Sequence, residues 1–134
     1  MESAEKVLIV GGTLLLVYAF ATGFMMGTVR GREATAPKYL ILAHMEPLMQ
    51  GSMLLGLVWA VRLSDLSNGI ETFAASLMVA AAWIQGVKEL INWRQGIEDE
   101  FRERPFPGFW AARIQSPIAS VGLVIIAFGV LKGL

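Results

Sequence analysis

The sequence predicts an all-α integral membrane protein, a four-helix bundle, and three observations carry that expectation. Of the 134 residues, 55% are hydrophobic and only 16% charged, against roughly 25% charged in an average globular domain. A soluble chain this short cannot bury such an apolar excess, because small domains hide a smaller share of their surface. Four continuous apolar stretches approach the roughly 20 residues a helix needs to cross a bilayer. Their apolar runs are unbroken, whereas a membrane barrel would alternate polar and apolar positions over segments of roughly 10 residues. Eleven Lys and Arg balance eleven Asp and Glu, which argues against nucleic acid, whose binding needs a concentrated basic surface. The absence of cysteine excludes disulfides, iron–sulfur clusters and thiol nucleophiles.

The first span covers 7–28 and has no charged residue. It is longer than a signal-peptide core of roughly 7–15 residues and lacks a basic n-region with a clear cleavage site, so it is expected to be retained. The second, 39–61, follows a loop containing Arg30, Arg32, Glu33 and Pro37. The third, 70–92, follows Asp65-Leu66-Ser67-Asn68-Gly69 and is free of charge only from Thr72 to Val87. Lys88, Glu89 and Asn92 therefore lie on its continuation. The fourth, 110–131, follows a polar, proline-punctuated connection from Arg94 to Gly108. These spans make 1–134 a single membrane domain in which any function lies within or at the edges of the bundle.

Three basic residues (Lys6, Arg62, Lys132) sit at the termini and second connection, against eight (Arg30, Arg32, Lys38, Lys88, Arg94, Arg102, Arg104, Arg113) at the first and third. The excess of positive charge on cytoplasmic loops predicts both termini outside the cytoplasm, with a bacterial inner membrane as the expected location. Gly23 with Gly27, and Ser116 with Ser120, have the small-xxx-small spacing that suits close helix packing.

Chemistry must come from polar residues inside the apolar spans, where an ionisable group usually faces a bundle interior, a partner or a cavity. His44 is the only histidine. One imidazole nitrogen can ligate a metal or haem iron while the other is held by an acceptor; the alternatives are a hydrogen-bonded packing histidine or an interfacial one. A single histidine excludes a bis-His haem within one chain, and a multi-His zinc site would need carboxylates or other subunits. A haem with one axial histidine keeps an open face, and Met49 and Met53 are available as further ligands or as gap fillers. Pro47 loosens the helix one turn beyond His44. Gly51, seven residues on, lies on nearly the same face and can admit a flat macrocycle or another helix. Gln50 is rotated away by about 120° and reaches that pocket only around a bend or across a subunit interface. Glu46 points nearly opposite His44 and is expected to meet a Lys or Arg of another helix.

Gln85, Lys88, Glu89 and Asn92 form one polar stripe at i, i+3, i+4 and i+7, bracketed by Trp83 and Trp93. An interfacial helix ending would also produce this pattern, with Lys snorkelling and Trp anchoring. In an up-and-down bundle, the start of span two and the end of span three share a membrane face, so the stripe is expected to meet His44 there.

The segment Ala43-His44-x-x-Pro47-x-x-Gln50-Gly51-x-Met53 resembles the second-helix motif of the styrene oxide isomerase family, in which alanine-histidine is followed by proline, asparagine-glycine and methionine. Trp83-Ile84-Gln85-Gly86 resembles that family's tryptophan-x-asparagine segment, and Arg104-Pro105-Phe106-Pro107-Gly108-Phe109 and Ser116-Pro117 resemble its later layout. The likeness runs from about residue 39 to 130, and its most specific part is the His-centred segment. It implies an oligomeric four-helix membrane protein binding haem b, in which ferric haem acts as a Lewis acid that turns a hydrophobic epoxide into a carbonyl compound. His44 would then be the axial metal ligand, with Pro47 and Gly51 in the cofactor site and Gln50, Gln85, Lys88 and Glu89 as catalytic candidates. Gln50 and Gln85 stand where the family has asparagines, and Glu89 where it has the tyrosine that contacts the epoxide oxygen. A carboxylate lacks that phenolic donor unless protonated, so the substrate need not be the family's own. The implied partners are a hydrophobic small-molecule substrate, the lipid bilayer and further copies of the chain, with a trimer among the candidate homo-oligomers. The competing functions are a noncatalytic haem-binding or accessory subunit of a membrane complex, and a small proton-coupled transporter using Glu46 or Glu89.

Overall fold

A computed structural model describes all residues, 1–134. It is entirely helical: α1 (Ser3–Arg30), α2 (Lys38–Arg62), α3 (Asn68–Arg94), the short α4 (Glu100–Glu103) and α5 (Gly108–Gly133). The four long helices, of 28, 25, 27 and 26 residues, are each long and apolar enough to cross a bilayer. They extend the spans expected from sequence by one to four residues at each end, because helical hydrogen bonding continues into polar residues that hydropathy alone assigns to the connections.

Helices α1, α2 and α3 pack mutually; α5 lies against α3 and barely touches α2. A cleft therefore remains between α2 and α5, floored by α3. The tightest seam is that of α1 with α2. A Cβ on Gly12 would stand 2.9 Å from the Gly51 carbonyl oxygen, and one on Gly51 would stand 2.9 Å from the Gly12 carbonyl oxygen. The missing side chains thus let the two backbones touch. Gly23 and Gly27 do not make this seam: Gly23 abuts the His44 ring, and Gly27 has nothing near the position of its absent side chain. Ser116 and Ser120 are exposed.

Pro47 fits into the bundle at Gly86 of α3, where an added Cβ would lie 3.0 Å from the proline ring. Tyr18 of α1 donates to the Gly86 carbonyl at 3.2 Å, so three helices lock at one level. The apolar core, including Leu8, Leu15, Leu54, Ala74, Met78 and Ile126, fills mid-bundle and the half beneath the termini. That end is closed by an Arg62–Glu5 ion pair at 2.8 Å. Only 31 of 134 residues are buried, and Phe24, Phe73, Val124 and Phe128 are among many large apolar side chains turned outward, a surface suited to lipid.

The third connection is more ordered than its sequence implies. Gly96, at φ 68°, ends α3 in a Schellman turn, with Gly96 N–H donating to Trp93 O and Ile97 N–H to Asn92 O. The Asp99 side chain caps α4 by accepting from the Phe101 and Arg102 N–H groups. Glu103 reaches back to accept from the Glu98 and Asp99 N–H groups.

Gly51→Leu should therefore part α1 from α2, costing roughly 1–3 kcal/mol and lowering the thermal midpoint of the detergent-solubilised protein. Gly56→Leu, whose side chain meets open space, should leave the midpoint unchanged. Equal midpoints for the two variants would contradict the glycine seam.

Candidate functional site

Two residues apart on an α-helix means a turn of about 200°, and α2 uses that turn to separate His44 from Glu46. His44 faces α1. Its Nδ1 lies 2.7 Å from the Ala19 carbonyl oxygen, and a carbonyl only accepts, so Nδ1 carries the proton and donates. In the neutral ring Nε2 then holds a free lone pair. Thr22 donates its hydroxyl to the same carbonyl at 2.9 Å. The ring occupies space opened by Gly23, where a Cβ would stand 2.8 Å from Cε1 and Nδ1. Beside it is an outward-facing niche of about 570 Å³ lined by Phe20, Gly23, Phe24, Met26, Gly27, Thr28 and His44.

Glu46 faces the other way, into the cleft. The side chains there form one connected network. Gln85 donates to Glu46 and to Glu89 Oε1 at 3.3 Å, and accepts from Gln115 of α5 at 3.0 Å. Lys88 Nζ donates to Glu89 Oε1 at 2.5 Å and to Glu100 Oε1 and Oε2 at 3.0 and 3.2 Å. Asn92 donates to Glu100 Oε1 at 2.8 Å. The Glu100 N–H donates to the Tyr39 hydroxyl at 2.7 Å, which pins α4 against α2. Lys88, Glu89 and Glu100 are 4%, 2% and 3% exposed. This polar end encloses about 300 Å³, with Lys38, Tyr39 and Phe101 also on its wall. Gln50 lies one turn beyond Glu46 and lines a second hollow of about 270 Å³ with Met53, Met78 and Gln115.

The structure thus brings Gln85, Lys88 and Glu89 together and keeps them apart from His44. The expected meeting of stripe and histidine does not occur within one chain, because α2 stands between them. Lys88 of α3 shares the chamber with Glu46 but does not pair with it; the Gln85 amide does. Gly51 shares the α1-facing side with His44, as its spacing predicts, but α1 itself fills the gap. Pro47 is buried against α3, and neither it nor Gly51 lines the His44 niche. Met49 is 60% exposed and Met53 belongs to the cleft.

Sequence reasoning missed Tyr39, Glu100 and Gln115. Gln115 is the only amide in the fourth span, a signal that could have identified it. Glu100 sits among Glu98, Asp99 and Glu103, and only the folded turn of α4 selects which carboxylate points inward. No group of three or more His, Cys, Asp or Glu side chains is arranged to hold a metal ion. Compared with known proteins, the chain matches no protein-family model, and no curated protein or solved structure is significantly similar to it.

Removing one member of a buried ion cluster leaves the others uncompensated, at a cost of about 3–5 kcal/mol. Lys88→Met should destabilise the protein by that amount in denaturant unfolding from mild detergent. Adding Glu89→Gln and Glu100→Gln to the same chain should restore most of the loss. A Lys88→Met variant as stable as wild type would contradict the buried cluster.

Proposed function

We propose that the chain is a membrane haem-b isomerase resembling styrene oxide isomerase, acting on a hydrophobic epoxide with His44 as axial ligand. The observation that carries this reading is the His44 geometry: a proton fixed on Nδ1 by the Ala19 carbonyl and Nε2 left as a donor beside a roomy niche. Histidines that ligate metals typically donate their other ring N–H to such an acceptor, which sets orientation and strengthens the ligand. Haem suits a chain without a multidentate metal cluster, because the macrocycle supplies four of its own donors and needs only one axial side chain.

When bound, ferric haem supplies Lewis acidity that polarises an epoxide oxygen. The chain's part is to hold and to exclude. His44 would hold the iron through Nε2, with its ring fixed by the Ala19 carbonyl and seated in the space at Gly23. Phe20, Phe24 and Met26 give an apolar wall that retains a hydrophobic substrate and keeps out water, which would divert ring opening to a diol. In one copy α2 separates Gln50, Gln85, Lys88 and Glu89 from this niche. A direct part for them in isomerisation requires a homo-oligomer that sets one copy's cleft against another's niche. The eight-to-three distribution of basic residues supports placing both termini outside the cytoplasm.

Protein purified from haem-replete cells should carry stoichiometric haem b by pyridine haemochrome assay, and His44→Ala should lose the normal axial-ligand spectrum. The loaded protein should convert a panel of lipophilic epoxides to carbonyl compounds without a reductant. Absence of haem, or an unchanged His44→Ala spectrum, would overturn the cofactor assignment. Haem without turnover across the panel would reject the isomerase and favour a noncatalytic haem subunit.

A further inference from the structure

The cleft between α2, α3 and α5 is lined by more carboxyl groups than ammonium groups. Three carboxylates, Glu46, Glu89 and Glu100, line its polar end with one buried ammonium, Lys88. Lys88 is used by Glu89 Oε1 and by both Glu100 oxygens. Glu46 receives only an uncharged amide, from Gln85. Glu89 is 2% exposed, and its Oε2 has no partner, nor does Gln115 Oε1. A buried carboxylate oxygen without a donor is costly, and Glu46, Glu89 and Gln115 all border the same space. Lys38 also borders that space, but its ammonium lies 5.0 Å above the Tyr39 ring.

The cleft does not end at these groups. Gln115 lines both the polar chamber and the hollow beyond it, where Met53, Met78, Ala81 and Leu123 provide apolar walls. Glu46, Gln50 and Met53 follow one another along a single face of α2, and Gln85, Ala81 and Met78 descend α3 in the same direction. Helical rise from Glu46 to Met53 is about 10 Å, the reach of an alkyl chain of roughly eight carbons. A hard divalent cation would need six or more oxygen ligands, and Lys88 already occupies Glu89 Oε1 and both Glu100 oxygens. A primary ammonium supplies the positive charge and N–H donors that Glu46, paired only with an amide, lacks, and an attached chain would cover the methionine- and leucine-lined floor.

We propose that this cleft binds an amphiphilic primary amine, with its ammonium against Glu46 and its alkyl chain along Met53, Met78 and Leu123. The site shares no residue with the His44 niche and needs no haem. Its polar mouth lies at the end of the bundle that carries the first and third connections, where an amine of this kind sits in a bilayer.

The test is calorimetric titration of n-octylammonium into the full chain in phosphatidylcholine nanodiscs, with empty nanodiscs as blank. Saturable binding is expected, roughly tenfold or more tighter than for n-octanol or methylammonium. Glu46→Gln, whose only partner is an amide, should keep its thermal midpoint and weaken octylammonium binding by roughly tenfold or more. Leu123→Trp, a change at a partly exposed position, should block the chain's path and weaken binding similarly. Glu5→Gln, at the opposite end of the bundle, should bind as wild type does. Octanol binding as tightly would remove the carboxylates from recognition, and methylammonium binding as tightly would remove the apolar floor. Either result, or unchanged affinity in a stably folded Glu46→Gln protein, would overturn the proposal.

Discussion

Within a bilayer a polar side chain has no water to return to, so each one must find its partner among the helices. The arrangement of α2 follows from that constraint. Its polar residues cannot share one face, because His44 and Glu46 are turned about 200° from one another. The helix consequently needs an acceptor on one side and donors on the other. Ala19 of α1 supplies the first and Gln85 of α3 the second. The seams between these contacts are made by residues that give up volume: Gly12 against Gly51, and Gly86 against Pro47.

This division explains why the bundle has an apolar half and a polar half. Toward the termini, Leu8, Val61, Ala74 and Ile126 form an apolar cluster closed at its end by the Arg62–Glu5 pair. Toward the first and third connections, α5 stands away from α2 and the gap is lined by carboxylates and amides. Lys88 is the keystone of that region, for it binds carboxylates from α3 and α4 together. The third connection is therefore a structural part of the cleft. The Asp99 cap and the Tyr39 hydroxyl hold Glu100 where a polar but unstructured loop would leave it in solvent.

Much of the fold was legible in the sequence, because hydropathy and helical period are local properties. The four spans, the opposition of His44 and Glu46, and the Gln85-Lys88-Glu89-Asn92 stripe all follow from spacing. What was not legible is azimuth. Knowing that span two begins and span three ends on the same membrane face fixes depth, but not which face of α2 is turned to α3. His44 and the stripe were expected to meet on that ground, and the structure puts α2 between them. The glycine pairs illustrate the same limit: Gly23 and Gly27 have the packing spacing within one helix, whereas the true seam joins Gly12 to Gly51 of a different helix. Glu100 and Tyr39 lie 61 residues apart, a contact no local pattern contains.

The proposed chemistry rests on a single imidazole, which makes it directly measurable. His44 is the only histidine in the chain, so growth on ¹⁵N-histidine labels one residue. Resonance Raman spectra of the haem-loaded ferrous protein should show an iron–histidine stretching band that moves to lower frequency on this labelling. A band indifferent to the label, or no such band in haem-loaded protein, would contradict His44 as the iron ligand and with it the proposed chemistry.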